Sequence, residues 1–485
     1  MSTEAIYNHI VMPTLHPRKK QYLKSVTDIP KIIEVVCSQS ILKGDYAFLR
    51  RYYEGIHDIN IRGFEDPYKP NNRVAHNFPK IIVDTASSYF TGKPATIQCS
   101  NPKAEKELLK INRYNQVDDV NYELDKLSNM FGHAYEIHWV DKHKDKTVHR
   151  FKYVSPENAV MFFSPDMHEE PIAFVIWKEV EDSVTKLKHF DIQLYDDTNV
   201  TEIRVDRNTN EFTIGKSDPH KMPSLPAIEF LNNEERKSSF ETVIPLIDAY
   251  NKVVSDTVND VEYWADSYLL LRDMAGTDSE DVAAMKKQRV MLVEGSGDAS
   301  FLTKQTNDRH LENIKDRLTQ DIHKFSQVPN LHDEQFASNL SGVAIKWKMK
   351  DLEDKTAQKE RKFTKSMEKR HELILGTVKF LSVSEELFTE DDIIDITFIR
   401  NIPANIIELA ELAAKIPPNL FSNETLRAQF PIKYNEEQEK KRIEEEQKSK
   451  VNAEMGSNPF LSKEGTPPQN ADPKASPPSE PPKEE

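Results

Sequence analysis

The chain has 485 residues, 38% hydrophobic and 30% charged, which predicts about two to four domains in a soluble, charge-rich protein. Its formal net charge of −15 argues against a protein that coats DNA or membranes, since such proteins carry a net positive field, although mild acidity also serves solubility alone. The two cysteines, Cys37 and Cys99, argue against a disulfide framework or a zinc cluster and favour a reducing cytoplasm.

The first 27 residues show no hydrophobic periodicity and are expected to form a flexible segment, 1–27. They lack the basic region and apolar core of a signal peptide, and no stretch of the chain has the roughly 18 apolar residues that span a bilayer. The basic run Arg18–Lys20 is interpreted as a solvated tail, with a nucleic-acid-binding arm as the alternative.

Residues 28–238 combine helical and strand patterns. Helical patterns occupy 28–40, 44–55, 77–94 and 102–131, the last of them split near Asn115. Strand-like runs from about His133 to Phe230, separated by turn clusters, predict a β-rich block. We therefore predict one substantial α+β domain over 28–238.

Two regular amphipathic helices follow, over 239–266 and 306–328. In each of them apolar residues recur at spacings of three and four. The intervening residues 267–305 predict a compact α/β insert, so the two helices form a stalk with a knob at its end. Each helix has one narrow apolar stripe, which suits either a hairpin within a monomer or a ring of neighbouring copies.

A short polar loop over 329–340 separates the second stalk helix from a long third helix. The third helix begins at Ser341-Gly342 and runs to about Leu381, which corresponds to a length of about 60 Å. Its middle, 350–362, is charged and is expected to be solvated, so that the helix acts as a spine. A strand within 341–403 is expected to return toward the β-rich block.

The C-terminal part contains three helical patterns over 404–450 and a proline-rich tail over 451–485. The last helical pattern carries charges of both signs on nearly all faces, which favours a solvated helix. The tail has almost no aliphatic residues and is expected to be disordered. Together these patterns predict an α+β, mainly helical protein.

The sequence contains no clear motif for nucleotide or catalytic chemistry. It has no P-loop, and Gly295–Gly297 is interpreted as a turn rather than as a dinucleotide fingerprint. His371-Glu372 lacks the second histidine that a zinc-binding helix needs. Carboxylates are plentiful, but no pair can be assigned to an apolar cleft. We predict no catalytic residue, no metal and no cofactor.

Two clusters have both a functional and a purely structural interpretation. His138, His143 and His149 are interpreted as part of a solvated hairpin, with a metal cluster as the alternative. Arg50-Arg51 beside Tyr52-Tyr53 resembles an aromatic and basic nucleic-acid patch. Neighbours on a helix face different ways, so packing combined with solvent exposure is the preferred interpretation.

Several stretches between about 40 and 450 are weak alone but specific in their order and spacing. They are Tyr52-Tyr53-Glu54-Gly55 with His57 and Ile59, Lys69–Arg73 with Asn77-Phe78, Ile82–Thr85, Tyr89–Pro94, and Phe336 with Asn339–Ile345. Together they resemble the portal (head-to-tail connector) family of tailed bacteriophages, in the form found in siphophages of Gram-positive hosts.

The resemblance implies a ring-forming portal fold, with twelve subunits around a DNA channel at one capsid vertex. The wing would be 28–238 with the spine helix and return strand of 341–403, the helical-hairpin stem 239–266 and 306–328, the clip 267–305, and the crown 404–450. The implied partners are double-stranded DNA, the terminase large subunit (an ATPase), head-completion adaptor proteins, the scaffold and the major capsid protein, with no membrane.

The resemblance also implies that the second stem helix lines the channel and that the loop 329–340 projects into it as a tunnel loop. An acidic or neutral wall suits a moving duplex, because each Lys or Arg contact to phosphate adds affinity and slows the DNA. The predicted wall residues are Asp308, Glu312, Asp316 and His323. The predicted loop residues are Leu331, His332, Asp333, Glu334, Gln335, Phe336, Ala337, Ser338 and Asn339. Phe336 is expected to touch the neighbouring loop or the duplex, and the alternative is that it anchors the loop to its own subunit.

The leading hypothesis is a structural conduit for DNA packaging and ejection, placed in the virion, assembled in the host cytoplasm and without catalytic activity. The missing P-loop then implies a separate packaging motor. One alternative is a phage-associated metal-dependent nuclease or other DNA-processing enzyme that uses scattered carboxylates. Another alternative is a monomeric scaffold or adaptor protein.

Overall fold

The computed structural model describes residues 15–16, 18–38, 40–63, 69–143, 146–181, 188–207, 209–265, 269–272, 280, 298–301, 308–331, 342–381, 393–402, 415, 439–446 and 448. The chain divides into two compact units, 1–402 and 403–485. In the second unit residues 439–446 are helical. Most of the predicted crown and all of the predicted tail lie outside the described residues.

The described elements of the first unit are helices and strands in mixed order. The helices are α1 (Ile29–Ser38), α2 (Ser40–Tyr53), α3 (Phe78–Thr91), α4 (Pro102–Tyr114), α5 (Val117–Phe131), α6 (Ile244–Ala265), α7 (Asp308–Ser326), α8 (Gly342–Lys348) and α9 (Lys350–Leu381). The strands are β1 (Gln21–Tyr22), β2 (Thr96–Cys99), β3 (His133–His143), β4 (Lys146–Val154), β5 (Ala159–Phe163), β6 (Pro171–Glu181), β7 (Lys188–Tyr195), β8 (Asn199–Asp206), β9 (Phe212–Pro219), β10 (Ala227–Leu231), β11 (Leu269–Arg272), β12 (Asp298–Phe301) and β13 (Ile394–Thr397). No helix in the described ranges is both long and apolar enough to cross a membrane.

The largest sheet has the strand order β1-β5-β6-β7-β8-β9. β1 pairs parallel with β5, and the other pairs are antiparallel. Side chains alternate along a strand, so Val160 and Phe162 join the core formed with α1, while Met161 and Phe163 join a core with Tyr135 of β3. The sheet is therefore covered on both faces at β5, whereas the edge strand β9 is mostly exposed.

A second sheet, with the order β10-β3-β4, carries helices α2 to α5 and shares the main core with them. The Asn77 side chain accepts a hydrogen bond from the Lys80 amide and caps α3. α5 ends at Gly132, whose φ of +92° leads the chain directly into β3. A Cβ atom at Gly132 would lie 2.0 Å from the Arg236 carbonyl oxygen, so this turn needs glycine. The predicted helix pair over 102–131 and the β-rich block are confirmed.

The N-terminal segment is not a solvated tail over the part that the structure describes. Arg18 is 5% exposed and donates from Nη1 to the Arg236 carbonyl oxygen and to Glu241, at 2.8 Å each. Lys20 lies 2.5 Å from Glu169, and the next two residues form β1. The flexible interpretation was wrong here because ion pairs and one short strand hold the segment without any apolar periodicity.

Helices α6 and α7 pack against each other as the predicted stalk pair. The predicted insert between them contains the antiparallel pair β11 and β12, with Leu269 opposite Phe301. Apart from these two strands and Glu280, the predicted insert lies outside the described residues.

The predicted spine is a helix with one local irregularity at Met349, between α8 and α9. Backbone hydrogen bonds continue through it, from the Met349 amide to Ile345 and from the Glu353 amide to Met349. The expectation of a solvated middle is wrong, because Leu352, Thr356 and Lys359 are at most 5% exposed. The charged sequence of 350–362 gave no sign of this buried face, because its buried lysine, Lys359, is paired with Asp125 on another helix.

The strand after the spine, β13, pairs antiparallel with β2 rather than with the β-rich block. Arg400, just after β13, donates to Glu353 and Glu360 of α9, with its closest contact to Glu360 at 2.6 Å. Tyr89 of α3 donates to the same Glu353 at 2.6 Å. These contacts fix the returning segment to the spine.

Candidate functional site at the junction of the long helices

The candidate site is the place where α6, α7 and α9 meet beside the predicted tunnel loop. α7 ends at Ser326, Gln327 follows with a φ of +60°, and Val328 is fully buried. Leu331 is 46% exposed, and the remaining predicted loop residues, 332–339 with Phe336, lie outside the described residues. The structure therefore describes the first residues of the loop, which are anchored by the buried side chain of Val328.

The four predicted wall residues fall into different environments on α7. Glu312 and Asp316 are exposed and lie one turn apart, and Lys315 is 2.5 Å from Glu312. Asp308 is the first residue of the helix. His323 is half-buried: its Nδ1 donates to the Val328 carbonyl oxygen at 2.9 Å, and its ring meets Phe78 edge-on at 6.0 Å. His323 therefore packs within its own subunit, and the lining of a channel by these residues remains a prediction.

A lysine of the spine joins the ends of both stalk helices. Lys355 Nζ donates to the carbonyl oxygen of Ser326, the last residue of α7, at 2.9 Å. It also lies 3.4 Å from the carbonyl oxygen of Ser239, just before α6. Burial and, to a smaller extent, the neighbouring charge of Lys359 together lower the Lys355 pKa to about 7.

Lys359, one turn along the spine, has the carboxylate partner that Lys355 lacks. Its Nζ lies 2.5 Å from Oδ1 of Asp125, and both side chains are buried. Asp125 also accepts from Thr91 and Asn129, and Asn129 accepts from the Ser239 hydroxyl at 2.7 Å. A buried polar network therefore links α3, α5, the start of α6, the end of α7 and the spine.

An extended segment, 72–76, runs antiparallel along α6 and is bound by its polar stripe. The backbone amides of Asn72, Val74 and His76 donate to Asn259, Ser255 and Asn251 at 2.6, 2.9 and 2.8 Å. Two residues of extended chain advance by about 6.6 Å and four helical residues by about 6 Å, so the spacings match. The signal in the sequence is the polar residue at every fourth position of α6.

Two further contacts join α6 to α2 and the turn that follows it. The Tyr52 hydroxyl donates to Asp248 at 2.8 Å, and the His57 ring stacks on Tyr52 with centroids 4.7 Å apart. Asn251 Nδ2 lies 2.8 Å from His57 Nδ1, so His57 accepts there and donates from Nε2 to the Tyr52 carbonyl oxygen at 3.0 Å. Burial raises the Asp248 pKa to about 6.

The spine is also locked to the second sheet by a buried ion pair. Arg370 donates from Nε and Nη2 to Glu136 at 2.8 and 2.6 Å, and both side chains are fully buried. Burial alone would raise the Glu136 pKa, but the Arg370 guanidinium overrides it and lowers the pKa to about 2. His138 lies 2.9 Å from Glu136 and 2.8 Å from His149.

The histidine pair on β3 and β4 is therefore not part of a solvated hairpin. His138 and His149 are 1% and 2% exposed, and burial lowers the pKa of both. The part of the chain that the structure describes holds no group of three or more His, Cys, Asp or Glu side chains able to bind a metal. The basic pair on α2 packs as expected, with Arg50 bound to Glu157 and Arg51 bound to Asp58.

Comparison with known proteins gives consistent matches along nearly the whole chain. The family model described as phage portal protein, SPP1 Gp6-like, matches residues 42–453. The portal protein of Clostridium phage phiCD119 is 25% identical over 454 residues, covering 87% of this chain and 98% of that protein. The portal protein of Bacillus phage SPP1 is 24% identical over 443 residues, covering 87% of this chain and 86% of that protein.

Proposed function

Because the chain belongs to the SPP1 Gp6-like family of phage portal proteins, we propose that about twelve copies form a ring that serves as the channel for DNA packaging and ejection. Portal proteins are virion components, and the ring would be assembled in the host cytoplasm. The observation that carries this proposal is the family match over 42–453, which includes α6, α7 and the spine together.

The surface of the single chain supports self-association. Val261 on α6 is 66% exposed, Phe325 at the end of α7 is 58% exposed, and Trp347 on α8 is 70% exposed. These exposed apolar side chains are available for contact with another copy of the chain. A neighbouring copy would cover them in a closed ring.

The proposed channel wall is the exposed side of α7, with Glu312 and Asp316 facing the duplex. Such a wall makes few phosphate contacts, so DNA moves without the strong binding that counterion release provides. Residues 331–339 would project into the channel from the buried anchor at Val328. In this proposal Phe336 meets the neighbouring loop or the duplex.

The remaining regions would contact partner proteins. In the proposed map the wing is 28–238 with 341–403, the stem is 239–266 with 306–328, and the tunnel loop is 329–340. The clip 267–305 would bind the terminase large subunit and later the head-completion adaptors, and the crown 404–450 would face the capsid interior. Scaffold and major capsid protein would surround the ring. The chain would have no catalytic role.

Electron microscopy of the purified protein tests the proposal most directly. Top views should show a ring with a central hole, and light scattering should give a mass near twelve times the 56.0 kDa of the chain. A monomer by both methods would favour the scaffold or adaptor alternative. Hydrolysis of DNA by the protein with magnesium would favour the nuclease alternative.

A further inference from the structure

We propose that Lys355 is a positioning residue that fixes the end of α7, and therefore the origin of residues 332–340, to the spine helix, and that proton binding to its amine loosens this attachment. The link from this attachment to a DNA channel rests on the proposed function. The attachment itself follows from the contacts of a single chain.

The geometry places Lys355 at an otherwise incomplete helix end. The last carbonyl groups of a helix have no partner within the helix, and Lys355 Nζ donates to the one at Ser326 at 2.9 Å. Ser326 is 2% exposed, so water cannot easily replace the lysine. Val328 is buried two residues later, so the Lys355 contact and this anchor together hold the end of α7, and losing the Lys355 contact loosens the segment up to Val328.

The surroundings of Lys355 disfavour the protonated form of its amine. Asp125 of α5, the carboxylate of this network, is ion-paired with Lys359 at 2.5 Å. His323, on the last turn of α7, donates to the Val328 carbonyl oxygen and offers Lys355 no negative charge. Glu353, on the same spine helix, is bound to Arg400. Asp125 thus neutralises Lys359, whereas the hydrogen bonds of Lys355 go to two carbonyl oxygens.

Opening of the joint should therefore be coupled to proton uptake. Burial lowers the Lys355 pKa to about 7 from its ordinary 10.5, and solvent exposure would restore the ordinary value. Between these two values the open form binds more protons than the closed form, so the closed form gains stability as pH rises. The neutral amine keeps two N–H donors for the two carbonyl groups, so the closed form needs no proton on Lys355.

Hydrogen exchange on the full-length protein tests this directly. The measured quantity is the protection of amides 323–331, corrected for the pH dependence of intrinsic exchange, between pH 7 and pH 9. In the unsubstituted protein, protection should rise by up to about tenfold per pH unit, the limit for one proton. Lys355→Arg keeps donors but cannot lose its proton, so its profile should be flat over the same range.

Two further variants separate positioning from general stability. Lys355→Met removes the donors and should lower protection of 323–331 about tenfold at pH 8.5. Lys365→Met changes an exposed lysine on the same helix and should leave protection unchanged. Should Lys355→Met fail to fold, the unsubstituted protein and Lys355→Arg still decide the outcome.

A flat profile in the unsubstituted protein, or the same rising profile in Lys355→Arg, would overturn the inference. Neither measurement requires DNA or an assembled ring. Purified protein that stays monomeric yet shows the expected pH profile would therefore contradict the proposed function alone. Protein that forms rings but shows a flat profile would contradict the proposed role of Lys355 alone.

Discussion

At the residue scale, several ionisable side chains are held where their charge costs stability. Asp248 is one of them, because it is half-buried on α6 against the Tyr52 hydroxyl. Its pKa is raised from 3.8 to about 6, so the folded state binds more protons than the unfolded state between these values. The carboxyl group therefore makes the protein less stable as pH rises through that window, and the full cost persists above it.

Asp248→Asn should remove this cost while keeping an oxygen that accepts from Tyr52. We expect the free energy of unfolding at pH 7.5 to rise by about 1 kcal/mol, a value reduced from the full shift because the side chain is partly solvated. At pH 4 the two proteins should be equally stable. Thermal and denaturant unfolding at both values measure this.

Asp256→Asn is the matched control, since Asp256 pairs with Arg62 at the surface and should change stability by less than about 0.5 kcal/mol. An equal gain for both variants, or a gain for Asp248→Asn that is unchanged at pH 4, would contradict the assignment to one buried carboxyl group.

The Arg370–Glu136 pair should behave in the opposite way. Arg370→Met leaves Glu136 charged and buried without its partner, so we expect a loss of about 3–5 kcal/mol. Arg361→Met, an exposed position on the same helix, should cost far less. Adding Glu136→Gln to Arg370→Met should recover part of the loss. Urea unfolding measures all three, and a double variant no better than Arg370→Met would argue against an uncompensated charge.

At the scale of elements, the segment 72–76 is bound along α6 through hydrogen bonds from every second amide. Ser255→Ala removes the acceptor of the Val74 amide and should cost about 1–2 kcal/mol. Asn251→Ala should cost more, because it removes the acceptor for His76 and the donor for His57. Hydrogen exchange at 72–76 should accelerate in both variants.

Lys252→Ala, an exposed position on the same helix, serves as the control for the effect of any change to α6. If exchange at 72–76 were equally fast in Lys252→Ala and Ser255→Ala, the side-chain hydrogen bonds would not be what holds the segment.

The sequence predicted those elements whose cores are formed by a regular apolar stripe. α6 and α7 show apolar residues at spacings of three and four, and β5 is a continuous apolar run between turns, so hydrophobic burial alone identifies them. The family predicted from the resemblance is confirmed by the match over 42–453, whereas the map of regions and the role of the loop stay predictions.

The incorrect predictions share one physical cause, which is that polar contacts between side chains on different elements or within one hairpin leave no periodic apolar signal. Arg18 is buried by partners more than 200 residues away in the chain, Lys359 by Asp125, and His138 by Glu136 and His149. Side-chain charge suggested solvent in each case. The partner, rather than the residue type, decides whether such a group is buried.

At the scale of the whole molecule, the net charge of −15 and the loop between α7 and α8 bear on how DNA would pass. Replacing residues 331–339 with a Gly/Ser linker should leave ring assembly intact, because the helices on both sides keep their own contacts. Packaging or retention of DNA should fall, because the side chains proposed to touch the duplex are gone. Electron microscopy measures assembly, and nuclease-protected DNA per particle measures packaging.

The same replacement at the β6–β7 connection, 182–187, is the control for shortening of side chains elsewhere. Full DNA content in particles with the altered loop would make 331–339 a simple connector. If the replacement of 331–339 abolished ring formation, the loop would instead be assigned to contacts between subunits.

The geometry of the hydrogen bonds between 72–76 and α6 limits how many of them can form in a row. From one hydrogen bond to the next, the extended chain advances about 6.6 Å and the helix about 6 Å. The mismatch between donor and acceptor therefore grows with each additional hydrogen bond. After three hydrogen bonds the accumulated offset is roughly 1 Å, close to the tolerance of a hydrogen bond. The side chain of Asn72, at the last of the three hydrogen bonds, reaches further along α6 in the same direction and donates to Glu262. The row of backbone hydrogen bonds therefore ends at Asn259, six residues before the end of α6 at Ala265, and further hydrogen bonds at the same two spacings would fall out of register.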